Sequence, residues 1–136
     1  MKTFRVKTDR RTQLVDVTDQ VARIVADTGV TDGVCYVFVP HTTAAVTINE
    51  HFDPDVATDV EGALDRLIPA KGPYRHAEGN SDSHLKAILV GASATIFLEK
   101  GKLALGRWQG VFFCEFDGPR DRQMQVKVVP GSSSDC

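Results

Sequence analysis

The residues best suited to chemistry crowd the C-terminal third of the chain, in the run Gly106-Arg107-Trp108-Gln109-Gly110-Val111-Phe112-Phe113-Cys114-Glu115-Phe116-Asp117-Gly118-Pro119-Arg120-Asp121-Arg122. Charge buried among apolar groups is costly unless it is paired, hydrogen-bonded or bound to a ligand, so acids and arginines at the ends of apolar strands mark a polar site. Under the two-residue period of a strand, Met124, Val126 and Val128 share a face, and the same parity carried backwards adds Arg122 and Arg120. Two readings follow for these arginines: salt bridges to Asp117, Glu115 or Asp121, or bidentate capture of a phosphate or carboxylate by the planar guanidinium. Glu115 shares parity with Val111 and Phe113, while Phe112, Cys114 and Phe116 take the other face, so neither face is solvated and the carboxylate needs a partner. That partner is Arg120 or Arg122, or else burial shifts the pKa and Glu115 serves as a general base or metal ligand. Trp108, at the opening of the strand, is expected to pack in the core.

The chain has four histidines, His41, His51, His76 and His84. Imidazole is the common transition-metal ligand and the acid/base of neutral pH, but no local zinc spacing is present, so a metal site would have to be assembled by tertiary contact. His41-Thr42-Thr43 follows Pro40 at the end of an apolar stretch. Hydroxyls and backbone N–H groups there either close round an oxyanion or make an ordinary strand bend. Glu50 shares parity with Val46 and Ile48, and either returns an acid to the same rim or, with Asn49, prepares the cap of the helix that follows.

These groups must be positioned by a single domain, residues 1–130, with 131–136 as a frayed tail: 136 residues at 42% hydrophobic content suffice for one sizeable core. A formal charge of −2, with both signs interspersed, argues against partners such as nucleic acid or an anionic membrane. No apolar stretch approaches the roughly 20 residues of a bilayer span, and Met1-Lys2-Thr3-Phe4-Arg5 lacks a signal-peptide core, so a cytoplasmic protein is expected. The three cysteines, Cys35, Cys114 and Cys136, are an odd count without a C-x-x-C pair, which speaks against a disulfide framework. Cys35 and Cys114 sit in apolar strands as small hydrophobes.

Phe4–Lys7 and Leu14–Val17 alternate and flank Asp9-Arg10-Arg11, which predicts a β-hairpin. Val21, Ile24, Val25 and Thr28 lie at helical spacing, with Thr18 or Asp19 as the cap and Gly29 as the stop. Val34–Val39 is continuously apolar, as in a strand buried on both faces, and Ala44–Glu50 is a second strand. A helix is predicted from Asp53 as N-cap and Pro54 at its first position, carrying Val56, Val60, Leu64, Leu67 and Ile68 to Pro69. Residues 70–83, rich in Gly, Pro, Asn, Asp and Ser, form a long loop. Ala94–Glu99, Leu103–Leu105, Trp108–Phe116 and Gln123–Val129 then make a run of antiparallel strands, with 99–102 as a turn and Asp117-Gly118-Pro119-Arg120 as a corner.

Five ordered blocks together resemble the YjbQ-type secondary thiamine-phosphate synthase family. They are His41-Thr42-Thr43-Ala44-Ala45 with Asn49-Glu50, Tyr74-Arg75-His76, Gly79-Asn80 with His84-Leu85-Lys86-Ala87, Leu105-Gly106-Arg107-Trp108-Gln109-Gly110, and Glu115 through Arg122. The resemblance covers about Phe4 to Val129 and implies an α+β fold, a two-sheet β-sandwich with two helices in the order β-β-α-β-β-α followed by three or more strands. It also implies a homotrimer, with pairing into hexamers left open, and a site at the sandwich rim beside a neighbouring subunit. By resemblance His41, His76 and His84 match the family's histidines and are the expected ligands of a divalent metal, zinc or magnesium. His84, Glu50, Glu115 and Arg120 are the expected catalytic groups, and Thr42, Thr43, Asn80, Lys86, Gln109, Arg120 and Arg122 the expected substrate-binding groups. The segment Glu78-Gly79-Asn80-Ser81-Asp82-Ser83 departs from the family pattern, in which Ala often follows the Asn. The implied activity is weak thiamine-phosphate synthesis, joining hydroxymethylpyrimidine diphosphate to hydroxyethylthiazole phosphate with release of diphosphate, on a protein whose physiological substrate is a small phosphorylated compound. Two further readings stand beside it: a non-catalytic homotrimer that binds a metal or an anion, and a metal-dependent hydrolase.

Overall fold

The computed structural model describes residues 1–132. Its elements are β1 (Lys2–Lys7), β2 (Gln13–Asp16), α1 (Thr18–Thr28), β3 (Gly33–Phe38), β4 (Ala44–Glu50), α2 (Pro54–Leu67), α3 (Ser81–Val90), β5 (Ser93–Glu99), β6 (Lys102–Leu103), β7 (Gln109–Glu115) and β8 (Asp121–Pro130). Two antiparallel sheets form, one in the order β1-β8-β3-β5-β6 and one in the order β2-β7-β4. The main core lies between them and is built from Val37, Val46, Val111, Phe113, Met124 and Val126, with Val21 and Val25 of α1. A second core fills the outer side of the small sheet, where Ala45, Phe112, Cys114 and Phe116 meet Leu64 of α2 and Ala87 of α3. This three-layer arrangement explains why every residue of β7 from Gly110 onward is buried, as its unbroken apolar run requires.

The fold is α+β with two sheets, as expected, but it has three helices. α3 begins inside the segment predicted as loop. It buries Asp82, Ser83, Lys86 and Ala87 while Leu85, Ile88 and Leu89 face outward, so its polarity is inverted relative to a core-facing helix and its pattern gives no amphipathic signal. The predicted β1–β2 hairpin does not form. β1 pairs with β8 and β2 pairs with β7, so the chain crosses from one sheet to the other through residues 8–12. β3 is also buried on one face only: Cys35 and Val37 enter the core, whereas Tyr36 and Phe38 are exposed.

Helix boundaries follow local chemistry. Asp53 Oδ1 accepts the Asp55 N–H, with Pro54 at the first helical position, as predicted. Gly29 closes α1 in the left-handed conformation. The start of α1 differs from expectation: Val17 is the N-cap, and the Thr18 hydroxyl instead accepts the Val111 N–H, which ties the helix to β7. The turn at 99–102 joins β5 to β6 as read. Of the tail 131–136, Gly131 donates to Asp32 O, while residues 133–136, Cys136 among them, lie outside the described residues.

Candidate functional site

Three connections converge at one end of the sandwich: the β3–β4 link, the segment leading into α3, and the β7–β8 corner where the chain passes between sheets. They line a cleft of about 630 Å³ with Pro40, His41, Thr42, Thr43, Glu78, Asn80, His84, Asp117, Arg120 and Arg122. Seven of the residues predicted for the site are therefore brought together: His41, Thr42, Thr43, Asn80, His84, Arg120 and Arg122.

The anchor of the cleft is a buried ion pair. Glu115 closes β7 with no exposed surface and takes both Nε and Nη2 of Arg122. Its oxygens are further satisfied by the Thr8 hydroxyl at 2.7 Å and the Asp117 N–H at 3.0 Å. Burial alone would raise this carboxyl, but the bonds from Arg122, Thr8 and Asp117 outweigh it and hold Glu115 below its ordinary value. Of the alternatives open for Glu115, the geometry gives it to Arg122. Arg122 Nη2 also reaches the Thr43 hydroxyl at 2.8 Å, while Nη1 takes no acceptor from the described residues, so one edge of the guanidinium is left to the cleft. Arg120 is more exposed and pairs with Asp117 at 3.0 Å. The salt-bridge reading of the arginines holds, each having a carboxylate of its own, and both side chains also line the cavity.

The two imidazoles of the cleft have different roles open to them. His41 Nε2 accepts the Gln123 N–H at 2.9 Å, so in the neutral ring the proton sits on Nδ1, where it can be donated. Burial first, and then the Arg122 charge, lower the His41 pKa against the opposing pull of the Gln123 N–H and Glu115, which favours that neutral form. His84 has no hydrogen-bond partner on either ring nitrogen among the described residues, and its ring stands edge to face with His76, centroids 5.4 Å apart. His76 approaches Glu78 at 3.7 Å.

Four expectations change. Lys86 does not reach the cleft: it is 1% exposed and held by Asp65 at 2.6 Å and Asp82 at 3.4 Å, because α3 turns this face toward α2. Asp82 in turn takes a bidentate bond from Arg11, so the cluster ties α3 to the β1–β2 crossing. Glu50 and Gln109 are cross-strand partners at the far end of β4 and β7, whereas Glu115 faces Ala44 at the near end. Six strand steps separate the two ends by roughly 20 Å. Glu50 accepts the Phe52 N–H ahead of α2 and lines a different, smaller cleft with Asp16 and His51, and Gln109 accepts the Gly106 N–H. Trp108 is exposed rather than packed in the core, with Arg107 over its ring at 4.8 Å. Finally, His41, His76 and His84 do not form a three-ligand set. Among the described residues no group of three or more His, Cys, Asp or Glu is arranged to hold a metal ion.

Thr8, Arg11 and Glu78 were missed by sequence reasoning. Thr8 lies 107 positions from the carboxylate it binds, and no local pattern reports such a contact. Glu78 sits in a segment whose composition signals only a loop.

A two-sheet α+β domain with a histidine- and arginine-lined cleft at the sheet crossing defines the class. The chain belongs to the family described as UPF0047 protein YjbQ-like, whose model matches residues 2–131. It is 48% identical to a UPF0047 protein of Methanocaldococcus jannaschii over 93% of this chain and 91% of the relative. It is 44% identical to the UPF0047 protein YugU of Bacillus subtilis, covering 95% and 98%. Among solved structures, an uncharacterized YjbQ/UPF0047 protein of Clostridium acetobutylicum matches with a TM-score of 0.93 at 50% identity, over 95% of this chain and all of that one. A YbjQ-like protein of unknown function from Sulfolobus solfataricus matches with a TM-score of 0.92 at 34% identity, covering 96% of each chain. None of these names carries an activity. No helix among the described residues is long and apolar enough to cross a membrane.

Proposed function

We propose that the chain is a cytoplasmic enzyme acting on a small phosphorylated compound, with the cleft as its phosphate site and thiamine-phosphate synthesis as a weak activity of that site. The observation that carries this reading is the convergence of Arg120, Arg122, His41, His84 and Thr42 on one cavity from three separate connections. The free edge of Arg122, the outer guanidinium of Arg120 and the Nδ1–H of neutral His41 supply donors to phosphate oxygens. Glu115 and Asp117 position the arginines. His84, unencumbered at both nitrogens, is the group that transfers a proton. In thiamine-phosphate synthesis the thiazole nitrogen bonds to the methylene carbon of the pyrimidine as the carbon–oxygen bond to diphosphate breaks. His84 then protonates the departing diphosphate. A divalent ion, zinc or magnesium, enters this reading as a companion of the substrate's phosphates rather than as an ion held by the three histidines.

The same reading includes a homotrimer. Tyr36, Phe38 and Phe97 on the large sheet and Leu85, Ile88 and Leu89 on α3 are exposed large apolar side chains of the kind subunit contacts cover. A neighbour would also offer a route for Glu50, Gln109 and Trp108 to approach a cleft they do not reach in their own chain.

The test is a synthase assay with hydroxymethylpyrimidine diphosphate and hydroxyethylthiazole phosphate, alongside a panel of phosphate-ester hydrolyses, on wild type, His84→Ala and Arg120→Ala. Turnover in wild type that falls at least tenfold in both variants supports the reading. Turnover unchanged in both removes the site assignment, and phosphate binding without turnover in any assay identifies a non-catalytic anion-binding protein instead.

A further inference from the structure

Asn80 carries an unmet hydrogen-bonding demand at the edge of the cleft. The residue is 9% exposed, and its Oδ1 is the single buried side-chain nitrogen or oxygen among the described residues that lacks a partner. The orientation of the amide is fixed by its neighbour. Asn80 Nδ2 donates to Asp117 Oδ2 at 2.9 Å, and the same carboxylate oxygen accepts from Arg120 Nη2 at 3.0 Å. Asp117 is therefore an acceptor, and turning the amide over would set two acceptors against each other. Asn80 does not spend this oxygen on its helix either: it occupies the N-cap position of α3 without a side-chain capping bond, and only its backbone carbonyl accepts from Ser83 and His84.

A buried acceptor without a donor is costly, and such a group persists in a native site where a ligand completes it. The cleft already presents donors to an anion through Arg120, Arg122 and His41. Asn80 lines the cleft with Asp117 and Glu78, and its unpartnered Oδ1 adds the opposite demand. We infer that the ligand is a small phosphate ester bearing a hydroxyl or amino group, whose O–H or N–H donates to Asn80 Oδ1 while its phosphate meets the arginines. This rests on the phosphate reading proposed above and specifies what else the substrate must carry.

The experiment is isothermal titration of the intact protein with matched esters: 2-hydroxyethyl phosphate against propyl phosphate, and 3-hydroxypropyl phosphate against butyl phosphate. Each pair is equal in charge and close in size. The hydroxylated member of at least one pair is expected to bind about tenfold tighter, the factor that corresponds to about 1.4 kcal/mol. In Asn80→Leu that preference collapses, the hydroxylated and alkyl members of the pair then binding alike. If all four esters fail to bind wild type, the phosphate reading itself falls and this inference falls with it. If both members of each pair bind equally, the phosphate site stands and the donor requirement is wrong. A preference that survives unchanged in Asn80→Leu likewise refutes the assignment to Asn80. Equal binding within both pairs by wild type overturns the inference whether or not the variant folds.

Discussion

Replacing Arg122 by Met tests the electrostatic anchor of the cleft most directly. The change keeps an apolar stem but removes the guanidinium, leaving the Glu115 carboxylate fully buried with only the Thr8 hydroxyl and the Asp117 N–H for company. Breaking a buried pair from one side costs about 3–5 kcal/mol, a large share of the 5–15 kcal/mol by which a typical domain is stable. At roughly 4 °C per kcal/mol for a chain of this size, the melting temperature should fall on the order of 15 °C. Arg122→Met with Glu115→Leu should recover most of the loss, because no charge is then stranded. The penalty also has a defined pH dependence. The folded pKa of Glu115 lies below its unfolded value, so the pair's contribution is present above the unfolded carboxylate pKa and disappears as pH falls through the folded one. In the variant the stranded carboxyl takes up a proton more readily, so the difference between variant and wild type should be greatest near neutrality and shrink toward pH 4. Urea denaturation at one fixed protein concentration, repeated from pH 7.5 to 4, measures this. A penalty below about 1 kcal/mol, a double variant no more stable than the single one, or a difference that grows in acid would each refute the reasoning.

Lys86→Met should lower stability by about 1–2 kcal/mol, since Asp82 keeps Arg11 as a partner, and should leave alkyl-phosphate affinity unchanged; a loss of that affinity in titration would return Lys86 to the site. Burial pushes the Cys35 thiol to about 11 and the Cys114 thiol to about 12, so neither should be alkylated by iodoacetamide at pH 8 in the folded protein, and native labelling at either position by peptide mass spectrometry contradicts the packing. Gly118→Ala should cost about 3 kcal/mol by thermal melting, because an added Cβ would overlap Arg10 O and crowd Glu115 Cγ and Thr8 Oγ1; an unchanged melting temperature would mean that the corner is looser than described. Sedimentation should give a species of three times the 14.8 kDa chain mass, and a monomer at micromolar concentration would remove the trimer from the proposal.

What local pattern could reveal was decided by how far apart the interacting groups lie. α2 was readable because its cap, its first proline and its stop all fall within one stretch. β7 was readable as buried on both faces because the run from Val111 to Cys114 has no charged or amide side chain at either parity. The β1–β2 hairpin was misread because alternation identifies a strand but not its partner, and both partners lie more than 90 positions away. α3 was hidden because its buried side is polar, stitched by Asp82, Ser83 and Lys86, and its apolar side chains point away from its own chain. In the site, the parity of Arg120 and Arg122 and the block at His41 were visible, and the family resemblance joined them to Asn80 and His84. The separation of Glu50 and Gln109 from the cleft was not visible, since it depends on which end of a strand pair each residue occupies.

The strand that ends the described chain is also an inner strand of the large sheet. β8 runs between β1 and β3, with Met124 opposite Phe4 and Val126 opposite both Lys2 and Val37. During synthesis β1 therefore emerges well before β8 and must wait, edge unpaired, through the more than 110 residues that separate Lys7 from its partner Asp121. The large sheet closes late, and chains released before β8 is made would expose two orphaned strand edges to one another and to quality-control proteases.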